Sequence, residues 1–250
     1  MSTNQPPALD LRSQWMNAAG SLGFAPETRG DVSVEDFGAF VTNPISLRAR
    51  RTAQPPRLLS FPGGVLLHTG HPNPGLSGAI KRYAAAWARS PLPIIVHLLS
   101  AKPDEVRKAM PRIEELENVI AVELGIEANS SRSEVSDLAR AASGELPLIV
   151  LLPLDRAAEL ADAAMSGGAS AIRLGPPRGS LPAPNGRIIN GRLYWPALFP
   201  QALAATVELG RLGIPVIAAG GVETKAQGEA MLTAGALAVQ IDISLWKEVC

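Results

Sequence analysis

Short apolar runs alternate along the chain with stretches whose apolar residues recur at helical spacing. Continuous apolar runs of this length are typical of parallel strands that are covered on both faces. Six of them lie at residues 93–99, 119–126, 147–153, 170–175, 214–221 and 236–242. The helical stretches between them include residues 103–116, 133–142 and 196–210. The alternation predicts an α/β fold with a parallel sheet.

The number of strands separates two α/β architectures. Residues 15–20 and 38–42 bring the strand candidates to eight in a chain of 250 residues. Eight strands that alternate with helices over this length indicate a (β/α)8 TIM barrel. A doubly wound open sheet is the alternative. A chain of this size can bury the core of one domain, so we predict a single TIM-barrel domain over residues 1–250.

Two features interrupt the regular alternation. Asn190-Gly191 lies between apolar residues, which predicts a type I′ turn and a β-hairpin insertion near residues 187–195. After Asp242 only eight residues follow, whereas a typical helix takes roughly 10–14. We therefore expect a truncated or missing eighth helix. Residues 1–14, as a flexible or covering segment, or a second copy in a homodimer would then cover the exposed strands.

The charge balance and the cysteine content exclude several classes of protein. Lys and Arg number 23, as do Asp and Glu, so no overall field favours nucleic acid or an anionic membrane. Cys250 is the single cysteine, which excludes an internal disulfide or a cysteine-rich metal site. No apolar stretch has the length of a signal peptide or of a membrane span. The expectation is a cytoplasmic protein.

Several segments, in collinear order from about residue 10 to residue 246, together resemble the dihydroorotate dehydrogenase family. They are W-M-N-A-A-G-S-L-G-F, G-A-F-V-T-N-P-I-S-L-R-A-R-R, P-G-G-V-L-L-H-T-G-H-P-N-P-G, G-R-L-Y-W-P-A-L-F-P, I-P-V-I-A-A-G-G-V-E-T and A-G-A-L-A-V-Q-I-D. The resemblance is to the soluble class. It implies an FMN cofactor at the C-terminal mouth of a barrel, where dihydroorotate is oxidised to orotate in pyrimidine biosynthesis.

The resemblance also assigns roles to individual residues. It places the cofactor against Ala18, Ala19, Gly20, Thr42, Asn43, Gly220 and Gly221. The segment that resembles the substrate loop contributes His68, Gly70, His71 and Asn73. Arg173 and Arg178 follow the sixth barrel strand and are further candidates for binding a small polar or anionic ligand.

The chain departs from the family pattern at the positions that carry chemistry. Ala128 stands where the resemblance implies the catalytic cysteine, and a methyl group cannot accept a proton. The other changed positions bind substrate or flavin in the family: Asn43 and Leu151 for lysines, and Leu67, Gly125 and Gly175 for asparagines. Each unpaired polar group costs about 1–3 kcal/mol. Asp242 also places a carboxylate where a phosphate would lie, which is repulsive.

New polar groups accompany these losses. His68, His71, His97 and Glu127 map to the predicted mouth, and Glu127 and His97 are the candidates for acid–base catalysis. Two histidines and a glutamate could ligate a metal, but hydrogen-bonded structural histidines are the more common case, so no metal is predicted. Strand parity turns Glu123 toward the barrel interior, where a buried carboxylate needs a partner such as Arg173.

Three functions remain open from the sequence. The first is an FMN-dependent oxidoreductase of the dihydroorotate dehydrogenase type. The second is a barrel enzyme that acts on another small anion through His68, His71, His97 and Glu127. The third is a non-catalytic relative without a cofactor, whose partner is a small ligand or another protein.

Overall fold

A computed structural model describes residues 7–26, 36–242 and 244–247. Eight strands of this part form one parallel sheet. They are β1 (Trp15–Asn17), β2 (Phe40–Val41), β5 (Ile94–Leu99), β6 (Val119–Gly125), β7 (Leu148–Pro153), β8 (Ala171–Gly175), β11 (Val216–Ala219) and β12 (Ala238–Ile241). A second, antiparallel sheet contains β3 (Leu58–Phe61), β4 (Gly64–Leu67), β9 (Arg178–Pro182) and β10 (Ile188–Tyr194).

The parallel sheet closes on itself. Its strand order is β1-β12-β11-β8-β7-β6-β5-β2, and the two end strands meet at a bridge between Met16 and Ala39. The amide of Gly38 donates to the carbonyl oxygen of Trp15 at 2.8 Å. The side-chain amide of Asn17 bonds both the N–H and the C=O of Val41, at 2.9 and 2.8 Å. The predicted TIM barrel is therefore confirmed.

Helices surround the barrel where the sequence predicts them. They are α1 (Gly75–Ala88), α2 (Pro103–Glu114), α3 (Arg132–Ala142), α4 (Ala157–Ser166), α5 (Phe199–Arg211), α6 (Lys225–Thr233) and α7 (Ser244–Lys247). Capping boxes start α3 and α6, in which Ser131 and Thr224 accept from backbone amides of the first turn. The described part of α7 has four residues, and its Leu245 packs into the outer core.

The base of the barrel interior is apolar. Met16, Val41, Ile95, Ile149 and Ile217 form a buried layer there with four alanines, and Leu9 and Leu11 pack against it. These two leucines thus lie at the base of the interior. Residues 1–6 of the expected covering segment lie outside the described residues. On the outer flank of β1, the indole of Trp15 lies directly over Gly228 of α6, where a Cβ atom would be 2.1 Å away.

The antiparallel sheet, which we call the ribbon, has the strand order β3-β4-β10-β9. The hairpin insertion is present, but its turn was predicted at the wrong place. Asn190-Gly191 lies inside β10, and the chain reverses at residues 183–187 with Gly186 at φ +79°. Gly191 is needed because β4 passes so closely that a Cβ atom would lie 2.5 Å from the carbonyl oxygen of Leu67. Strand pairing on both sides overrides the local turn preference of Asn-Gly.

Candidate functional site

A chain of hydrogen bonds crosses the barrel interior above the apolar base. Glu123 accepts from His97 Nδ1 at 2.7 Å and from Gln240 Nε2 at 2.6 Å. Gln240 in turn accepts from Arg173 Nε at 2.8 Å. All four side chains are buried, and Glu123 and Gln240 are completely so. The prediction that Glu123 has an interior partner is confirmed, with His97 and Gln240 in direct contact and Arg173 one residue further.

Glu123 is ionised within this network. Burial alone would raise the pKa of Glu123, but the hydrogen bond and charge of His97, the charge of Arg173 and the hydrogen bond from Gln240 together hold it below its ordinary value. A buried carboxylate is tolerated when it is paired and hydrogen-bonded in this way. Arg173, predicted as a ligand residue, therefore belongs to this buried network and donates to Gln240.

Two glycines at the mouth have their space filled by neighbouring side chains. A Cβ atom at Gly125 would lie 2.6 Å from Nε2 of His97, and one at Gly175 would lie 2.5 Å from Cδ2 of Leu151. Both glycines stand where the resemblance implies a substrate asparagine. The asparagine side chains cannot be accommodated while His97 and Leu151 keep these positions.

Asn73 fixes the loop that presents His71. Its Oδ1 accepts from the amides of Ser46 and Gly75, at 3.2 and 2.9 Å. Its Nδ2 donates to the carbonyl oxygen of His71 at 3.0 Å. His71 itself has a φ of +51°, in the left-handed region that few non-glycine residues adopt. The side chain of Asn73, predicted as a ligand residue, bonds to Ser46, Gly75 and His71 and so holds this loop together.

Arginines surround the imidazole of His71. Arg192 NH1 lies 2.8 Å from His71 Nε2, and Arg178 is the direct cross-strand partner of Arg192 on β9. Burial, together with the nearby charges of Arg192, His97, Arg50 and Arg178, lowers the pKa of His71 to about 2. His71 is thus neutral and accepts from the guanidinium.

Arg178 belongs to the same group of charges. Partial shielding of its guanidinium from water lowers the pKa of Arg178, as does the charge of Arg192, while Tyr194 and Glu127 act in the opposite direction. Glu127, two residues after β6, therefore lies near enough to Arg178 to offset part of its charge. Both Arg178 and Glu127 are exposed, so a ligand can reach them from solvent.

Loss of stability at mildly acidic pH is expected from His71. The unfolded chain takes up a proton near the ordinary histidine pKa of about 6.5, whereas the folded chain resists protonation down to pH about 2. The unfolded state then binds more protons, so the free energy of unfolding falls by at most about 1.4 kcal/mol per pH unit below 6.5. Urea titrations between pH 7 and 5 give the free energy of unfolding at each pH. This free energy should fall less per pH unit in His71→Gln than in the unchanged protein, and an equal fall in both would contradict His71 as the cause.

Three of the residues predicted to bind a cofactor make hydrogen bonds within the protein. The carbonyl oxygen of Ala18 accepts from the side chains of Asn17 and Ser21. Thr42 Oγ1 accepts from the amide of His97 at 3.0 Å, and Asn43 bonds Gly23 through its amide and its Oδ1. Ala19 packs against the interior cluster, and Gly20 has a φ of +91°.

Gly220 and Gly221 lie against the start of α5. Both have positive φ, and a Cβ atom at Gly221 would lie 2.5 Å from the amide nitrogen of Phe199. A Cβ atom at Gly220 would lie 3.1 Å from Leu198. In the parallel pair of β11 and β12, Ala219 is level with Gln240. Asp242 follows the end of β12 and is buried.

The remaining predicted residues are dispersed. The amide of His68 donates to the carbonyl oxygen of Arg57 in the ribbon, and Gly70 lets the chain pass close to Ala53. Arg156 holds the loop after β6 by donating to the carbonyl oxygens of Ala128 and Ser130. Within the described ranges, no three histidine, cysteine or acidic side chains are placed to hold a metal ion.

Arg192 and Gln240 are the site residues that the sequence analysis missed. Gln240 is a polar residue within an apolar strand, so strand parity alone could have placed it inside the barrel. Arg192 could not be found in this way, because a turn at Asn190-Gly191 gives the hairpin a different strand pairing from the observed one. None of the described helices is long and apolar enough to cross a bilayer.

Comparison with known proteins gives a family. The family model described as dihydroorotate dehydrogenase matches residues 2–139, which is more than half of the chain. The chain belongs to the dihydroorotate dehydrogenase family. Members of this family normally use FMN.

Individual dihydroorotate dehydrogenases agree with this membership. The catalytic subunit of dihydroorotate dehydrogenase B (NAD(+)) from Pelobacter propionicus is 29% identical, over 93% of this chain and 84% of its own length. The same subunit from Trichlorobacter lovleyi is 28% identical, over 94% and 84%. The solved DHODH of Eimeria tenella in complex with ferulenol has a TM-score of 0.73 at 14% identity, over 93% of this chain and 76% of that one; it supports the fold.

Proposed function

We propose that this chain is a divergent dihydroorotate dehydrogenase relative that binds a small anionic molecule at the barrel mouth and does not oxidise dihydroorotate through the usual base and flavin. The observation that carries the proposal is the repacking above Gly125 and Gly175, where His97 and Leu151 fill the space of two substrate-binding side chains. Ala128, at the position of the base, offers only a methyl group.

The residues at the mouth do not fit FMN. Leu151 gives an apolar side chain where a lysine would meet the edge of the flavin ring, and Asn43 is bonded to Gly23. Gly221 faces the start of α5, and Asp242 would bring a carboxylate close to a phosphate. Two unit charges ~4 Å apart repel by about 4 kcal/mol at an effective dielectric near 20. We therefore derive no step through a flavin.

FMN-dependent oxidation of dihydroorotate is the second candidate. Family membership favours it, and so does the preserved backbone at the mouth, where Gly20, Gly220 and Gly221 keep positive φ. Such glycines let a backbone approach a phosphate closely in flavin and nucleotide sites. The two candidates differ in whether the purified protein carries flavin.

Purified full-length protein should separate the candidates. We expect a colourless preparation that shows no flavin absorbance, does not quench the fluorescence of added FMN, and does not reduce a dye when dihydroorotate is supplied. Ala128→Cys returns the family base but leaves His97 and Leu151 in place, so it should remain inactive. A yellow protein with dihydroorotate-dependent dye reduction would establish the second candidate instead.

A further inference from the structure

Acidic residues are unevenly distributed along this chain of zero net charge. Residues 37–103 and 163–207, which include the whole ribbon, contain no Asp or Glu. More than half of the acidic residues lie in residues 104–162 instead, where exposed arginines such as Arg107 and Arg140 each have a carboxylate partner. The arginines near the ribbon therefore need groups from elsewhere to neutralise their charge.

Residues 48–57 form an outer edge of the ribbon and carry most of these arginines. Arg50 forms an antiparallel bridge with Asn73. The amide of Ala53 donates to the carbonyl oxygen of Thr69, so this segment continues the pairing of β3 with β4. On its far side β3 pairs with no other strand of the described ranges. We call the following exposed residues the arginine strip: Arg48, Arg50, Arg51, Arg57 and, from the hairpin tip, Arg187.

Two guanidinium groups of the strip are fixed on the backbone. Arg57 Nε donates to the carbonyl oxygen of Ala53 at 2.7 Å, and Arg187 NH2 donates to that of Pro55 at 3.0 Å. Because two residues of chain span at most about 7 Å, these carbonyl groups and the guanidinium groups on them lie close together. No carboxylate of the described residues forms an ion pair with any arginine of the strip. The strip therefore presents fixed donors whose charge is not compensated, an arrangement that suits an anionic partner.

The strip is linear and extends away from the barrel mouth. Residues 48–57 span at most about 30 Å, at roughly 3.3 Å per residue. Of the arginines in the strip, Arg50 alone contributes to the lowered pKa of His71, so the other charges lie further from the mouth. An extended partner segment of about ten residues matches this length.

The surroundings of the strip favour a protein segment over a nucleic acid. Residues 48–57 contain no aromatic side chain on which bases could stack. Exposed aliphatic side chains lie next to the two fixed arginines instead. Leu58 follows Arg57 and is 54% exposed, and Ile188 is 60% exposed and follows Arg187. Aliphatic groups offer contacts to apolar side chains of a protein and none to a phosphate backbone.

We propose that the arginine strip binds an extended, acidic segment of a partner protein that also carries apolar side chains. The carboxylates of this segment pair with Arg51, Arg57 and Arg187, and its apolar side chains contact Leu58 and Ile188. The inference goes beyond the proposed function, because the strip lies on the outer edge of the ribbon and its partner binds whether or not the mouth is occupied.

Four dye-labelled probes of about ten residues or nucleotides test the chemistry of the partner. The first is a peptide with Glu at two of every three positions and Leu at the third. The others are the same peptide with Gln in place of Glu, a peptide of Glu alone, and a single-stranded oligothymidylate. Fluorescence anisotropy with the full-length protein measures their binding.

The Glu/Leu peptide should bind at least about tenfold more tightly than its Gln analogue and the oligothymidylate, and more tightly than the peptide of Glu alone. Its affinity should fall as salt is added, because the charges are exposed. Oligothymidylate binding that equals or exceeds that of the Glu/Leu peptide would indicate a nucleic-acid surface and overturn the proposal. Absence of binding by every probe would also overturn it and leave protection of a sheet edge as the reason for the arginines.

Paired substitutions assign the charged contacts. One exposed ion pair contributes up to about fivefold in affinity, so Arg51→Gln combined with Arg187→Gln should weaken binding of the Glu/Leu peptide by about tenfold or more. The control combines Arg107→Gln with Arg140→Gln, which removes two exposed arginines that already have acidic partners, and should change the affinity less than about twofold. Equal losses in the two double variants would mean that overall charge alone acts, which would overturn the assignment to the strip.

Leu58→Ser tests the apolar contact separately. It should reduce the affinity for the Glu/Leu peptide toward that for the peptide of Glu alone, and it should leave binding of the latter unchanged. Leu212→Ser is the matched control, because Leu212 is 62% exposed and follows α5, outside the ribbon. An unchanged preference for the Glu/Leu peptide in Leu58→Ser, or an equal loss in Leu212→Ser, would overturn the proposed role of apolar side chains in the partner.

Discussion

Glu123→Ala is expected to lower the free energy of unfolding by about 3–5 kcal/mol, the range for breaking a buried ion pair from one side. Glu123 is completely buried and accepts from His97 and Gln240. Without its carboxylate, both donors and the charge of Arg173 remain buried without their partner. Denaturant unfolding at pH 7 measures the loss.

Two further variants make the interpretation specific. Glu123→Gln keeps the size of the side chain and one acceptor, so it should lose clearly less than Glu123→Ala. Glu229→Ala removes an exposed carboxylate whose oxygen is 4.0 Å from Lys225 Nζ, and such pairs contribute about 0–1 kcal/mol. A loss below about 1 kcal/mol for Glu123→Ala, no larger than that of the surface control, would mean that the interior network is not a stabilising unit.

The sequence predicted the barrel and the orientation of Glu123 because both depend on strand periodicity. Strands covered on both faces must be apolar, so a charged residue within one of them must face an interior partner. The ribbon could not be found in this way. Leu58–Phe61 and Gly64–Leu67 are short strands that pair with each other, and Gly64–Leu67 also pairs with β10, a segment far along the chain. Local propensity carries no information about such pairing.

The contact between Arg192 and His71 depends on this long-range strand pairing, which the sequence does not show. Arg192 meets His71 only because β10 runs through Asn190-Gly191 without turning. A turn at Asn190-Gly191, as the dipeptide predicts, would have placed Arg192 elsewhere. Likewise, Arg173 is a strand residue at the level of Leu151, yet its Nε bonds Gln240. Its position in the sequence predicts a place at the mouth, but its side chain is directed to Gln240 within the barrel.

The retained glycines raise the question of whether retention of a family motif means retention of its chemistry. Gly221 would be kept for phosphate binding if its amide cradled an anion. Its surroundings give another reason, because its Cα faces the backbone of Pro196 and Phe199 at the start of α5. A position of this kind admits only glycine whether or not a phosphate binds. Packing against α5 is therefore a sufficient reason for glycine at this position, without a bound phosphate.

Gly221→Ala is expected to destabilise the protein by about 2–5 kcal/mol. About 1–2 kcal/mol comes from placing an L side chain at φ +67°. About 1–3 kcal/mol more comes from overpacking against backbone, since the Cβ atom would lie 2.5 Å from Phe199 N and 2.6 Å from Pro196 O.

Gly213→Ala separates the two contributions, because Gly213 has a φ of +70° and nothing within 4 Å of its Cβ position. It should lose only the first contribution. If both variants lose the same free energy in urea titrations, packing on α5 does not explain why Gly221 is retained, and a phosphate-binding role becomes the better explanation.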